Sequence, residues 1–245
     1  MKKDKRIEWR RVFIPIIAYV IVMSVFENLN TNGSLENYRV CVAGGLLVLL
    51  GLYTFQNQKQ GTYRFTPTEP LQWKKMLFLL PMVMISTVNL WHGVALRSAP
   101  METALYMLSM ICIGFIEELL FRGYLLQYLK KYAAKRAVLI CGLTFGMGHI
   151  VNLINGADLY STILQIIYAV AIGYMLSVFV EETGHILPCC VFHATFNALS
   201  AFANEAVITK ISEAILCAVV TTLAIGYGVY VYKFCNKECF QCNQA

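Results

Sequence analysis

Apolar runs of roughly 17 to 22 residues, each long enough to cross the hydrocarbon of a bilayer, recur near 12–28, 39–55, 75–92, 103–126, 137–154, 161–180, 186–204 and 213–232. Hydrocarbon offers no partner to a peptide group, so a spanning segment must satisfy its backbone within itself or within a closed barrel. These runs are continuous rather than alternating over about ten residues, which selects helix. The expected fold is all-α: a polytopic membrane protein of about eight transmembrane helices surrounding an intramembrane cavity. Charged residues make up 14% of the chain against 58% hydrophobic, a balance outside the range of ordinary soluble domains.

Basic residues fix the expected topology. With eight spans, Lys2, Lys3, Lys5, Arg6, Arg10, Arg11, Lys59, Arg64, Lys74, Lys75, Lys130, Lys131, Lys135, Arg136, Lys233 and Lys237 fall on one side, and only Arg39, Arg97 and Lys210 on the other. The positive-inside rule then puts both termini in the cytoplasm. The net charge of +6 is accounted for by loops facing anionic headgroups, and no nucleic-acid partner is implied. VMSVFENLN offers no small-x-small cleavage site, so the first run reads as a retained anchor.

No repeat or soluble linker divides the chain, so one membrane domain is expected over 1–245, with a basic N-terminus at 1–11, a motif-bearing core at about 100–204 and a cysteine-rich tail at 233–245. The longest polar connection, 56–75, carries Pro67, Pro70 and Trp73 and reads as a loop returning to the membrane surface. Cys41, Cys112, Cys141, Cys189, Cys190 and Cys217 lie in apolar runs, where cysteine is a small packing residue. Cys235, Cys239 and Cys242 form C-x3-C-x2-C, one thiolate short of a structural zinc set, and read as reduced cytosolic thiols.

Polar groups inside the runs carry the functional signal. A charge near the bilayer centre costs at least ~2.5 to 3.5 kcal/mol on insertion scales, so it is expected to be paired and to serve a function. The fourth run carries Glu117, Glu118 and Arg122, the fifth His149, and the seventh His193 and Asn197. The sixth offers Gln165 alone. Glu118 and Arg122 are four apart, acid before base, and stack on one helix face. Glu117 projects about 100° away and is free of that pair. His193 and Asn197 share a face and can both donate toward one oxygen.

Depth agrees with a shared site. At ~1.5 Å per residue from the expected cytoplasmic ends, Glu117 lies about 14 Å deep, His149 about 18 Å, His193 about 10 Å and Asn197 about 16 Å. A common cavity opening toward the cytoplasm is therefore expected, with the GMG before His149 and Gly123 after Arg122 allowing close helix approach. A structural reading remains for each part: a buried ion pair that joins helices, and histidines that hydrogen-bond between them. Glu181 and Glu182, beside Gly184 and ahead of Pro188, read as a solvated turn.

EELLFR at 117–122, FGMGH at 145–149 and HATFN at 193–197 resemble, in order, the E-E-x-x-x-R, F-x-x-x-H and H-x-x-x-N motifs of the CPBP intramembrane endopeptidases. That family comprises CAAX-processing and bacteriocin-processing proteins, among them the Ras-converting enzymes and bacterial Abi proteins. The resemblance spans about residues 100 to 200 and is only topological before that. It implies an eight-helix core and hydrolysis with no metal or other cofactor. Matched by position, Glu117 is the general base on a water that His149 orients, His193 and Asn197 form an oxyanion hole, and Glu118 with Arg122 braces the site. The implied partners are the lipid bilayer and a membrane-associated peptide or protein substrate, prenylated or of bacteriocin or signal type.

Three other readings fit the same residues. Two histidines and a glutamate are a known catalytic zinc set, although no H-E-x-x-H occurs. A non-catalytic partner, such as a bacteriocin-immunity factor, would keep the fold without the chemistry. A transporter or proton relay also buries Glu, His and Arg, yet no pair of broken helices repeats in two halves.

Overall fold

The computed structural model describes the backbone of residues 5–30, 35–59, 79–96 and 98–242, and the side chains of 9–30, 35, 37–59, 79–96, 98–233. The helices are α1 (Lys5–Leu29), α2 (Arg39–Lys59), α3 (Leu80–Ser86), α4 (Pro100–Glu118), α5 (Leu126–Ala133), α6 (Ala137–Gly148), α7 (Val151–Ile154), α8 (Leu159–Thr183), α9 (Leu187–Leu199) and α10 (Lys210–Cys242). A π-helical segment, Leu119–Leu125, joins α4 to α5. The described residues form no strand, only an isolated antiparallel bridge between Val94 and Ala203. The protein is an all-α integral membrane protein.

Five helical stretches are long and apolar enough to cross a membrane: Trp9–Leu29, Arg39–Lys59, Pro100–Ile154, Leu159–Thr183 and Lys210–Lys233. Pro100–Ile154, at 55 residues, holds both the fourth and the fifth expected spans. The seventh is the shorter helix Leu187–Phe202. The third expected span shows only α3 and a 3-10 turn at Val88–Leu90 among the described residues. Polar side chains mark that break: Asn89 Nδ2 donates to the Phe196 carbonyl at 2.6 Å, and Thr87 Oγ1 donates to the Met84 carbonyl at 2.8 Å. The loop at 60–75, Arg97 and the side chains of the cysteine tail lie outside the described residues.

Two apolar clusters build the core. One gathers Met82, Ile85, Ile172, Met175, Phe179, Phe192 and Tyr227 from α3, α8, α9 and α10; the other gathers Val12, Leu50, Ile116, Tyr124, Leu126 and Cys141 from the remaining helices. Three close approaches set the helix spacing around the site. A Cβ on Gly114 would stand 2.7 Å from the Ala194 nitrogen, so α4 and α9 touch backbone to backbone. Gly142 and Gly146 do the same for α6 on α8, with 2.7 Å to the Tyr174 nitrogen and 2.6 Å to the Val170 nitrogen. Small residues let membrane helices approach this closely. Of the GMG pair, only Gly146 serves this purpose; Gly148 faces open space.

Among the described residues, the contacts of basic residues from the two sets lie at opposite ends of the bundle. Arg11 Nη1 donates to Asn57 Oδ1 at 3.1 Å and Lys130 pairs with Glu181 at 2.7 Å at one end. Arg39 with Glu27, and Lys210 with Tyr160, mark the other. Glu181 and Glu182 belong to the last turn of α8 rather than to a loop, because the chain turns only at Gly184, whose φ of 73° suits glycine.

Candidate active site

The π-helical segment sets the first pair of carboxylates apart. π segments are rare and concentrate at functional sites, and this one begins directly after Glu118. Glu118 and Arg122 are both fully buried, with Arg122 Nη1 donating to Glu118 Oε1 at 2.8 Å. Arg122 Nη2 donates to the Gly173 carbonyl of α8 at 3.1 Å, and its guanidinium lies 4.4 Å from the Phe145 ring centroid. Burying two charges is tolerable only with such bonds around them. Glu118 Oε2 and Arg122 Nε have no hydrogen-bond partner among the described residues.

His193 joins the two glutamates. Its Nδ1 stands 2.8 Å from Glu118 Oε1, and its Nε2 stands 3.4 Å from Glu117 Oε2. A carboxylate only accepts, so Nδ1 carries the proton toward Glu118 and Nε2 is the atom that faces Glu117. Glu117, half-buried, also accepts a 2.7 Å hydrogen bond at Oε1 from the Tyr19 hydroxyl. This bond comes from α1, a segment to which sequence analysis gave no part in the site.

His149 ends α6. The helix stops after Gly148, turns at His149 and Ile150, and resumes as α7, so the expected continuous fifth span is broken there. Glycines at 146 and 148 weaken the last turn. His149 Nδ1 lies 3.3 Å from the Phe145 carbonyl, which leaves Nε2 for other partners. Phe145 is the hub of the site: its ring meets His149 edge-on at 5.4 Å, His193 at 5.5 Å and Phe121 at 5.1 Å. It was quoted in the second motif without a role.

Asn197 lies one turn beyond His193 on α9, and its side-chain amide makes no hydrogen bond to a described residue. Its carbonyl accepts from Ser200 Oγ at 2.6 Å. Gln165 accepts from Asn152 Nδ2 at 2.8 Å, a tie between α7 and α8. Thus Glu117, Glu118, Arg122 and His193 come together in direct contact, His149 joins them through Phe145, and Asn197 follows on the same helix as His193.

A cavity of about 170 Å³ opens beside Glu117 and His149. Its wall runs from Tyr19 and Phe121 to Glu27, Asn152 and Asn155. That direction leads away from the end of the bundle bearing Arg11 and Lys130.

Residues 99–199 match the family model described as type II CAAX prenyl endopeptidase Rce1-like. This segment belongs to the Rce1-like CAAX protease family. No curated protein matches the chain. The Rce1-like segment contains Glu117, Glu118, Arg122, His149, His193 and Asn197, and the protein is accordingly assigned to the membrane proteases. Tyr19 stands outside it.

Proposed function

We propose that the protein is an intramembrane endopeptidase of the glutamate type. The observation that carries this reading is the division of labour between neighbouring carboxylates: Glu118 is neutralised by Arg122 and fully buried, while Glu117 lines a cavity with room for water. Glu117 takes a proton from water as the water oxygen attacks the scissile carbonyl carbon. General bases so placed contribute about 10²- to 10⁴-fold. His149 Nε2 orients that water. Asn197 and, with both ring nitrogens of His193 protonated, its Nε2 are the donors for the carbonyl oxygen as it gains charge, a role fixed dipoles perform without reorganising. The C–N bond then breaks, and the leaving amine receives the proton held by Glu117. One water is consumed and one carboxylate and one amine are released.

The contact of His193 with both glutamates refines the expected oxyanion role. Glu118 holds Nδ1 and thereby aims Nε2, the logic by which an acid orients a catalytic imidazole. Nε2 is also close enough to Glu117 to exchange the proton during turnover. The family description supports a peptide bond in a membrane-associated, CAAX-type prenylated substrate. No metal or other cofactor enters this scheme. The basic end of the bundle faces the cytoplasm.

Product mass spectrometry on membranes carrying wild type or Glu117→Gln tests this reading. Wild type should yield fragment pairs whose masses sum to a precursor plus one water, and Glu117→Gln, inserted to the same level, should not. Identical fragments from both would remove Glu117 as the base. Full complementation of a deletion by Glu117→Gln would instead favour a binding role.

A further inference from the structure

We infer that Tyr19 is a positioning residue of the active site, holding the Glu117 carboxylate in its working orientation from a helix outside the Rce1-like segment. This deepens the proposed function and rests on Glu117 being the base.

Three observations meet at this residue. The Tyr19 hydroxyl donates to Glu117 Oε1 at 2.7 Å, whereas the contact of Glu117 Oε2 with His193 Nε2 is 3.4 Å. The shorter distance is in the range of a charge-assisted bond and the longer is at the limit of one. Among the described residues, then, the one short hydrogen bond on Glu117 comes from α1.

Second, the Tyr19 ring packs against the cluster that holds Val12, Leu50 and Ile116 and also borders open space. Tyr19 stands in the wall between two spaces: the site cavity, and an apolar cavity of about 200 Å³ lined by Pro15, Leu46, Leu50 and Ile116. A ring with room on either side has other rotamers open to it. Its hydroxyl bond to Glu117 adds to that packing a polar contact that favours this one.

Third, α1 is otherwise weakly committed to the bundle: 11% of its most apolar window is buried, against 50% for α8. Its packing into the bundle is confined to one side, where Val12, Phe13, Ile16 and Tyr19 meet the second apolar cluster. To the site it adds the Tyr19 hydroxyl and, through Val20, Met23, Ser24 and Glu27, part of the cavity wall.

A carboxylate free to rotate on its stem spends most of its time with its lone pairs away from the water it must deprotonate. Fixing such a group in the attack geometry is a recognised source of rate. Tyr19 pins one oxygen of Glu117, His193 faces the other, and the remaining lone pairs are left to the cavity. Because the bond is made in the resting and the reacting enzyme alike, its loss acts on turnover rather than on substrate affinity.

Tyr19→Phe keeps the ring and deletes the hydroxyl, and is compared with wild type, Tyr19→Leu and Glu117→Gln, all purified in lipid and checked for thermal melting. The expected result for Tyr19→Phe is a kcat lower by about 10- to 100-fold, the loss of one hydrogen bond to a charged acceptor, with KM within about twofold and melting unchanged. Tyr19→Leu should show the same loss of kcat together with a lower melting temperature. An unchanged kcat in Tyr19→Phe would overturn the inference, as would a raised kcat, which would make the hydroxyl a blocker of Glu117, or a loss confined to KM. Cleavage by Glu117→Gln at the wild-type rate would strike the underlying assignment of the base, whatever Tyr19→Phe did.

Discussion

The helices of the Rce1-like segment and α1 are built by different rules. α4, α6, α8 and α9 meet through glycines whose added Cβ would collide with the facing backbone, and they bury a glutamate and an arginine completely. α1 leaves most of its apolar surface outward, with Ile14, Ile17, Ile21 and Val25 each more than half exposed. In a bilayer such a face meets lipid, which costs it nothing. The rigid part thus carries the charged framework, and the loosely seated part reaches it through Tyr19 and through Asn28, whose Nδ2 donates to Asn155 Oδ1 at 2.9 Å. The buried charged framework and the hydroxyl bonded to Glu117 thereby come from different helices.

Substitutions separate the two. The largest effect is expected for Arg122→Ala, which strands the buried Glu118 carboxylate; breaking one side of a buried pair costs about 3–5 kcal/mol, and thermal melting in lipid should show it with activity lost. Asn197→Ala should keep the fold and lower kcat by about 10²- to 10³-fold, the usual cost of one oxyanion donor; a smaller loss would place the donor elsewhere. Gly114→Ala should come next. Its methyl group must push α4 from α9, at about 1–3 kcal/mol for an overpacked contact, and should lengthen the Glu118–His193 distance, so kcat and melting temperature fall together. Asn28→Ala, which cuts the exposed tie between α1 and α7, should cost under about 1 kcal/mol and change KM more than kcat; an effect as large as that of Gly114→Ala would erase the contrast between the two parts.

The smallest effect concerns pH. Asp158 caps α8, and the Ser161 backbone N–H donated to it, at 3.0 Å, holds its carboxyl below the ordinary 3.8. A lowered folded value means that the cap's contribution is present above 3.8 and fades as pH falls through the folded value. Protection of the Ser161 amide against exchange, relative to its intrinsic rate at each pH, should therefore fall only in strong acid, and in Asp158→Ala at every pH.

Much of the site could be read from sequence because helix geometry is local. The i, i+4 spacing of Glu118 and Arg122 fixes their contact, and the single step to Glu117 separates it from them, whatever the rest of the chain does. The contact of His193 with both glutamates was not readable in that way: it depends on how closely α9 approaches α4, which Gly114 decides. Tyr19 carried no signal, since one tyrosine in an apolar helix reads as an interfacial or packing residue, and its partner lies 98 positions away. The third run illustrates the opposite limit: where α3 ends, Thr87 and Asn89 donate to nearby carbonyls, a local choice that mean hydropathy does not report. Composition reports the mean of a segment, whereas a helix ends where particular polar groups find better partners.

The central claim is that adjacent glutamates do different work, and it is tested most directly by measuring cleavage and melting of Glu117→Gln beside Glu118→Gln in the same lipid. The expected result is a Glu117→Gln protein that melts like wild type and does not cleave, and a Glu118→Gln protein that loses both stability and activity. Retained cleavage by Glu117→Gln, or two variants that melt and cleave alike, would contradict it.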